Sequence, residues 1–72
     1  MVMALPGKGD KLSQVEMLYL TLLAQGLSRK QAAGQLNVAT KTTEYYSSEI
    51  RRKLSAKTMT HAVAIVIRRG MI

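Results

Sequence analysis

The chain has 72 residues, eleven Lys and Arg against four Asp and Glu, and no cysteine. That length allows one domain with a thin core. The missing thiols exclude disulfides and thiolate-metal sites, and no apolar run approaches the roughly 18 residues of a membrane-spanning helix. The formal net charge of +7 favours a polyanionic partner, whereas the absence of Trp and Phe argues against a surface that stacks single-stranded bases.

Residues 1–11 read as a tail or linker. Pro6, Gly7 and Gly9 interrupt any regular element, Lys8, Asp10 and Lys11 keep the stretch solvated, and no apolar core of a secretory signal is present. Residues 12–72 form the domain. A first helix is predicted over 13–25. Ser13-Gln14-Val15-Glu16 is a capping box, in which the hydroxyl accepts from one orphan amide and the carboxylate from another. Val15, Leu18, Tyr19, Leu22 and Leu23 follow at the spacing of one helical face, and Gly26 stops the helix. A second helix, 28–36, opens on a second capping box, Ser28-Arg29-Lys30-Gln31, and turns Ala32, Ala33 and Leu36 inward. Gly34 in its middle costs about 1 kcal/mol relative to Ala, so this helix depends on packing.

Asn37, Val38 and Ala39 make a three-residue turn. Asn37 tolerates the left-handed conformation, Val38 plugs the gap between helices, and Thr40 is a better cap than Ala39 for the next helix. That third helix is predicted over 40–54. Thr43, Tyr46, Ile50 and Leu54 form its inner stripe, and Lys41, Glu44, Tyr45, Ser48 and Arg52 form a polar, aromatic and cationic outer face. A fourth helix, 58–69, runs from the cap Thr58 to the stop Gly70. Met59, Ala62, Val63 and Val66 are its expected inner stripe, which leaves Ile65 and Ile67 needing another surface to cover them.

Two helices joined by a three-residue turn, the second amphipathic and basic at its end, make the helix-turn-helix pattern. The ordered segments Leu12-Ser13…Glu16…Leu20…Ala24-Gln25-Gly26-Leu27-Ser28-Arg29-Lys30-Gln31-Ala32-Ala33…Leu36-Asn37-Val38, then Thr42…Ile50-Arg51-Arg52-Lys53-Leu54, Ala62-Val63 and Gly70-Met71-Ile72 resemble the LuxR/GerE-type DNA-binding domain of bacterial transcriptional regulators. The resemblance spans about residues 12–72. It implies an all-α, compact four-helix domain that reads double-stranded DNA with its third helix, acts in the bacterial cytoplasm at the nucleoid, and pairs with a second copy through its fourth. RNA polymerase or another LuxR-type regulator are further partners it allows. It also allows two settings, a stand-alone regulator or the C-terminal domain of a longer one. The sequence departs from the family pattern with Ala39 in place of Ser, Thr43 in place of Val, Tyr46 in place of His, and Val15, Leu18 and Met59 in place of charged residues.

Glu44, Tyr45 and Ser48 match the reading positions. Glu44 suits a cytosine amino group, Tyr45 a thymine methyl or a phosphate, and Ser48 either role. Arg29, Lys30, Thr40, Lys41, Thr42, Arg52 and Lys53 are the expected phosphate contacts, and Lys53 matches a position at which the family almost always has Lys. Arg51, Arg52, Lys53 and Lys57 also suit a helix C-terminus on macrodipole grounds alone. Ile65, Ile67 and Arg69 are the expected dimer contacts. Tyr46 reads as core and His61 as surface filler. Four acids and one His offer no catalytic constellation and no metal site, so neither an enzyme nor a cofactor is expected. A competing reading is a protein-interaction module that pairs with a larger LuxR-type regulator and blocks it.

Overall fold

A computed structural model describes residues 11–72, and four α-helices make up their regular structure: α1 (Gln14–Ala24), α2 (Arg29–Leu36), α3 (Thr40–Leu54) and α4 (Met59–Arg68). The tail expected over residues 1–11 lies, apart from Lys11, outside the described residues. No described helix is long and apolar enough to cross a membrane.

The helix boundaries follow from local hydrogen bonding. In α1 the Ser13 hydroxyl accepts from the Glu16 amide at 3.2 Å, and the Ser13 amide donates to Glu16 Oε1 at 2.9 Å. In α2 the Gln31 amide donates to Ser28 Oγ at 3.1 Å, and the Ser28 amide donates back to Gln31 Oε1 at 2.8 Å. Both capping boxes are therefore closed. Asn37 ends α2 in the left-handed region (φ 60°), and the Val38 amide reaches back to the Ala33 carbonyl at 3.0 Å. Thr58 caps α4 by accepting from the His61 amide at 3.0 Å.

The start of α3 differs from expectation. Its N-cap is Ala39, which has no side chain able to accept a hydrogen bond, and Thr40 is already the first helical residue. Within this first turn Thr43 Oγ1 donates to the Thr40 carbonyl at 2.6 Å. The helix closes at Ser55, which adopts a left-handed conformation (φ 55°) although it is not glycine, with the Ala56 amide on the Arg51 carbonyl at 2.9 Å.

Helix α3 packs on both α2 and α4, and α1 lies across all three. The core is built from Tyr19 and Leu20 of α1, Ala32 of α2, Ile50 and Leu54 of α3, and Ala62, Ile65 and Val66 of α4. Two faces are set one residue round from the expected stripes. In α1 the buried residues are Glu16, Tyr19 and Leu20, and Leu18 is 50% exposed. In α4 Ile65 is buried, 8% exposed, and Val63 is only half-buried. Ile65 therefore does not wait for a second surface. It sits on the same side as Ala62 and Val66 and fills the domain's own core. Only Ile67, 54% exposed, remains outside as expected.

Candidate nucleic-acid interface

The turn between α2 and α3 sets the site. With Asn37 left-handed and Val38 held against α2, α3 leaves the turn with Thr43, Ser47, Ile50 and Leu54 buried. The i, i+4 geometry of a helix then forces the intervening positions outward. Glu44, Tyr45 and Ser48 are all exposed, Tyr45 at 64%, and they lie within about one turn of each other in the middle of α3. The Tyr45 ring is not isolated. Its centroid stands 6.4 Å from that of Tyr46 at a tilt of 58°, and Tyr46 in turn stands 5.9 Å from Tyr19 in the core. A tilted aromatic pair at this spacing is favourable, so an outward ring is steadied by an inward one.

The expected cations lie in the first turns of α3 and α2. Lys41 and Thr40 are exposed in the first turn of α3, and Thr42 is half-buried there. Arg29 and Lys30 are exposed in the first turn of α2. Among the described residues Arg29, Lys30 and Lys41 take part in no ion pair, and cations at a helix N-terminus oppose the macrodipole. Such a placement is stabilised by an anion that accepts both from the cations and from the free amides.

The cations at the far end of α3 are arranged differently. Arg52, also exposed, pairs with Glu49 at 2.8 Å. The Arg51 Nε donates to the Ser47 carbonyl at 3.3 Å. Lys53 is turned inward: its Nζ donates to Glu16 Oε1 at 2.8 Å and to the Lys11 carbonyl at 3.2 Å, with its side chain 14% exposed. The structure thus brings Glu44, Tyr45, Ser48 and Lys41 together on α3 and leaves Lys53 with its charge partner inside the domain.

Two polar features of the interior are absent from the sequence reading. Ser47 is buried and lies 3.4 Å from the Tyr19 hydroxyl, and Glu16 is 4% exposed with Lys53 as its ion-pair partner. Glu16 carries a sequence signal as a capping residue, but its second partner lies 37 positions away, beyond the reach of any local pattern. His61 has a structural task. Its Nδ1 accepts from the Lys57 amide at 3.2 Å, which closes the turn before α4. Among the described residues no group of His, Asp or Glu side chains is placed to hold a metal ion.

The expected dimer residues separate into two kinds. Ile67 and Arg69 are exposed near the end of α4, whereas Ile65 is core. Thr60, Ala64 and Ile67 are exposed and Val63 is half-buried, at i, i+4, i+7 and i+3 along the outer side of the helix. Thr60 and Val63 also border an open groove of about 400 Å³, closed on its other sides by Leu23 and Leu27 and flanked by Arg29.

The GerE profile, described as bacterial regulatory proteins of the luxR family, matches residues 10–66. A search of curated proteins finds no match. That span takes in the turn, the whole of α3 and its outward patch, and most of α4. The four-helix architecture with its helix-turn-helix, together with a family match over most of the chain, places this protein in the luxR family of DNA-binding bacterial transcription regulators.

Proposed function

We propose that this domain binds double-stranded DNA sequence-specifically, with α3 in the major groove and two copies on an inverted repeat. One observation carries the reading. Within the first nine residues of α3, Glu44, Tyr45 and Ser48 are exposed together while Thr43 and Ser47 on the other side are buried. In helix-turn-helix proteins the N-terminal part of the second helix approaches base edges. Glu44 accepts from a cytosine amino group, Tyr45 packs on a thymine methyl or bonds a phosphate, and Ser48 serves either role. Thr40, Lys41 and Thr42 in the first turn of α3, Arg29 and Lys30 in the first turn of α2, and Arg52 at the far end of α3 bind the backbone. Such contacts fix register and supply salt-dependent affinity.

Pairing runs through the outer side of α4, with Ile67 at its centre, Val63 and Ala64 beside it and Arg69 at its edge. Ile65 plays no part in it. A two-fold pair places half-sites about one helical turn apart. The protein acts in the cytoplasm at the nucleoid, with RNA polymerase as a further partner. A mobility shift at two salt concentrations, against a large excess of unrelated duplex, tests this. Competitor-resistant, salt-sensitive binding is the expected result, and loss of all binding to competitor overturns it.

A second reading has its own observation. The groove between Leu23, Leu27 and Val63 joins the apolar outer side of α4, which suits pairing with a larger luxR-family regulator. Heterodimer formation without DNA binding by this chain is its distinguishing result.

A further inference from the structure

The ion pair between Lys53 and Glu16 is costly to build. Both side chains are largely withdrawn from water, 14% and 5% exposed, and a buried pair often stabilises no better than apolar residues of the same shape. Its geometry points to a different role. Glu16 Oε1 accepts from the Ser13 amide at 2.9 Å and from Lys53 Nζ at 2.8 Å, and the same Nζ donates to the Lys11 carbonyl at 3.2 Å. One carboxylate and one ammonium therefore join three things: the first turn of α1, the chain leading into it, and the last turn of α3. Glu44 lies nine residues before Lys53 on α3, about 14 Å along a helix that rises 1.5 Å per residue. A tilt of about 5° at the Lys53 end moves the reading side chains by about 1 Å, enough to spoil hydrogen bonds whose distances vary by only a few tenths of an ångström.

We propose that Glu16 and Lys53 are positioning residues for DNA reading: their ion pair fixes the tilt of α3 against α1, and Lys53 contributes through this pair and not by touching a phosphate. The proposal rests on the DNA-binding reading above and adds to it a residue, Glu16, that lies inside the domain and away from the duplex. It also makes the segment at Lys11–Ser13 a lever on α3, because displacing that segment takes two of the pair's hydrogen bonds with it.

The test uses the whole chain with Glu16→Gln, Lys53→Met, the double variant, and Lys53→Arg. Gln retains an acceptor for the Ser13 amide and Met retains the length of the stem, and the double variant leaves no uncompensated buried charge, so it folds where a single variant is weak. The expected result is that each single variant and the double lose discrimination between the preferred site and unrelated duplex by about tenfold, with the slope of log affinity against log salt unchanged. The double is expected to be no worse than the worse single, and Lys53→Arg restores most of the discrimination. A slope reduced by about one unit in Lys53→Met, with Glu16→Gln behaving as wild type, makes Lys53 a phosphate contact and overturns the proposal. A double variant that discriminates as well as wild type overturns it too.

Amide hydrogen exchange of the free protein is the second arm. Faster exchange at Lys53 and Leu54 in the Glu16→Gln variant supports the pair as the anchor of α3, and unchanged exchange there contradicts it. This arm needs no DNA, so a wild-type chain that fails to bind any duplex removes the DNA-binding reading and leaves the pair's hold on α3 decided separately.

Discussion

Helices α3 and α4 bury their inner sides in the same core, through Ile50 and Leu54 in one and Ala62, Ile65 and Val66 in the other, yet they turn opposite chemistry outward. The exposed side of α3 carries Lys41, Glu44, Tyr45 and Ser48, and that of α4 carries a strip of Thr60, Ala64 and Ile67 flanked by the exposed His61 and Arg68. Charged and hydrogen-bonding groups suit a duplex, whose grooves offer donors and acceptors and whose backbone offers anions. A small apolar strip suits another protein surface, since burying it gains free energy only where the partner is apolar too. The inner sides decide that the domain folds; the outer sides decide what each helix meets.

The contrast is tested first at its inner side. Ile65→Asp places a carboxylate in a core cluster with Leu20, Ile50, Ala62 and Val66, so a loss of more than about 3 kcal/mol is expected. A domain this small then loses its helical circular dichroism near room temperature. A fully folded Ile65→Asp variant would return Ile65 to the surface. Ile67→Asp, two positions along and on the outer side, is expected to keep the helical signal and thermal midpoint while weakening self-association about tenfold, or about 1.4 kcal/mol, by sedimentation. Unaltered association would remove the outer side of α4 from the pairing surface.

On α3 and α2 the matching changes are smaller. Lys30→Ala and Lys41→Ala are each expected to weaken all duplexes about equally and to lower the salt slope by about one unit. An unchanged slope in both would take these cations out of the interface. The smallest effect has the opposite sign. Ala39→Ser supplies the hydroxyl that the N-cap of α3 lacks, and a gain of about 1 kcal/mol in thermal or denaturant unfolding is expected. No gain would mean that the Thr42 amide, which already donates to the Ala39 carbonyl at 2.9 Å, gains nothing from a hydroxyl acceptor.

Local devices were legible in the sequence and non-local ones were not. Ser13 with Glu16, Ser28 with Gln31, Thr58, Asn37 and Gly70 each announce a helix end through hydrogen bonds spanning a few residues, and each does so in the structure. The outward trio on α3 was equally legible, because Thr43, Ile50 and Leu54 leave that helix only one side to bury. In α1 and α4 apolar residues occur nearly all round, so periodicity does not fix which side is inner. For that reason Leu18, on the expected inner stripe, is exposed and Ile65, off it, is buried. Glu16 and Lys53 could not be paired from sequence, because their contact depends on how α1 crosses α3. The cap of α3 falls on Ala39 and not on Thr40, because Ala39 has the extended backbone of an N-cap (φ −70°, ψ 148°) and Thr40 is already helical, a choice made by the turn's backbone and not by side-chain capping strength.

The claim that the outer side of α3 reads bases meets its most direct test in selection from random duplexes, carried out side by side for wild type and Glu44→Ala. The account predicts that wild type enriches an inverted repeat and that Glu44→Ala loses preference at one base pair in each half-site, worth about 1–3 kcal/mol of discrimination, while affinity for random duplex holds or rises with the lost negative charge. Identical enriched sequences from both proteins would contradict it and move the reading of this domain toward protein pairing.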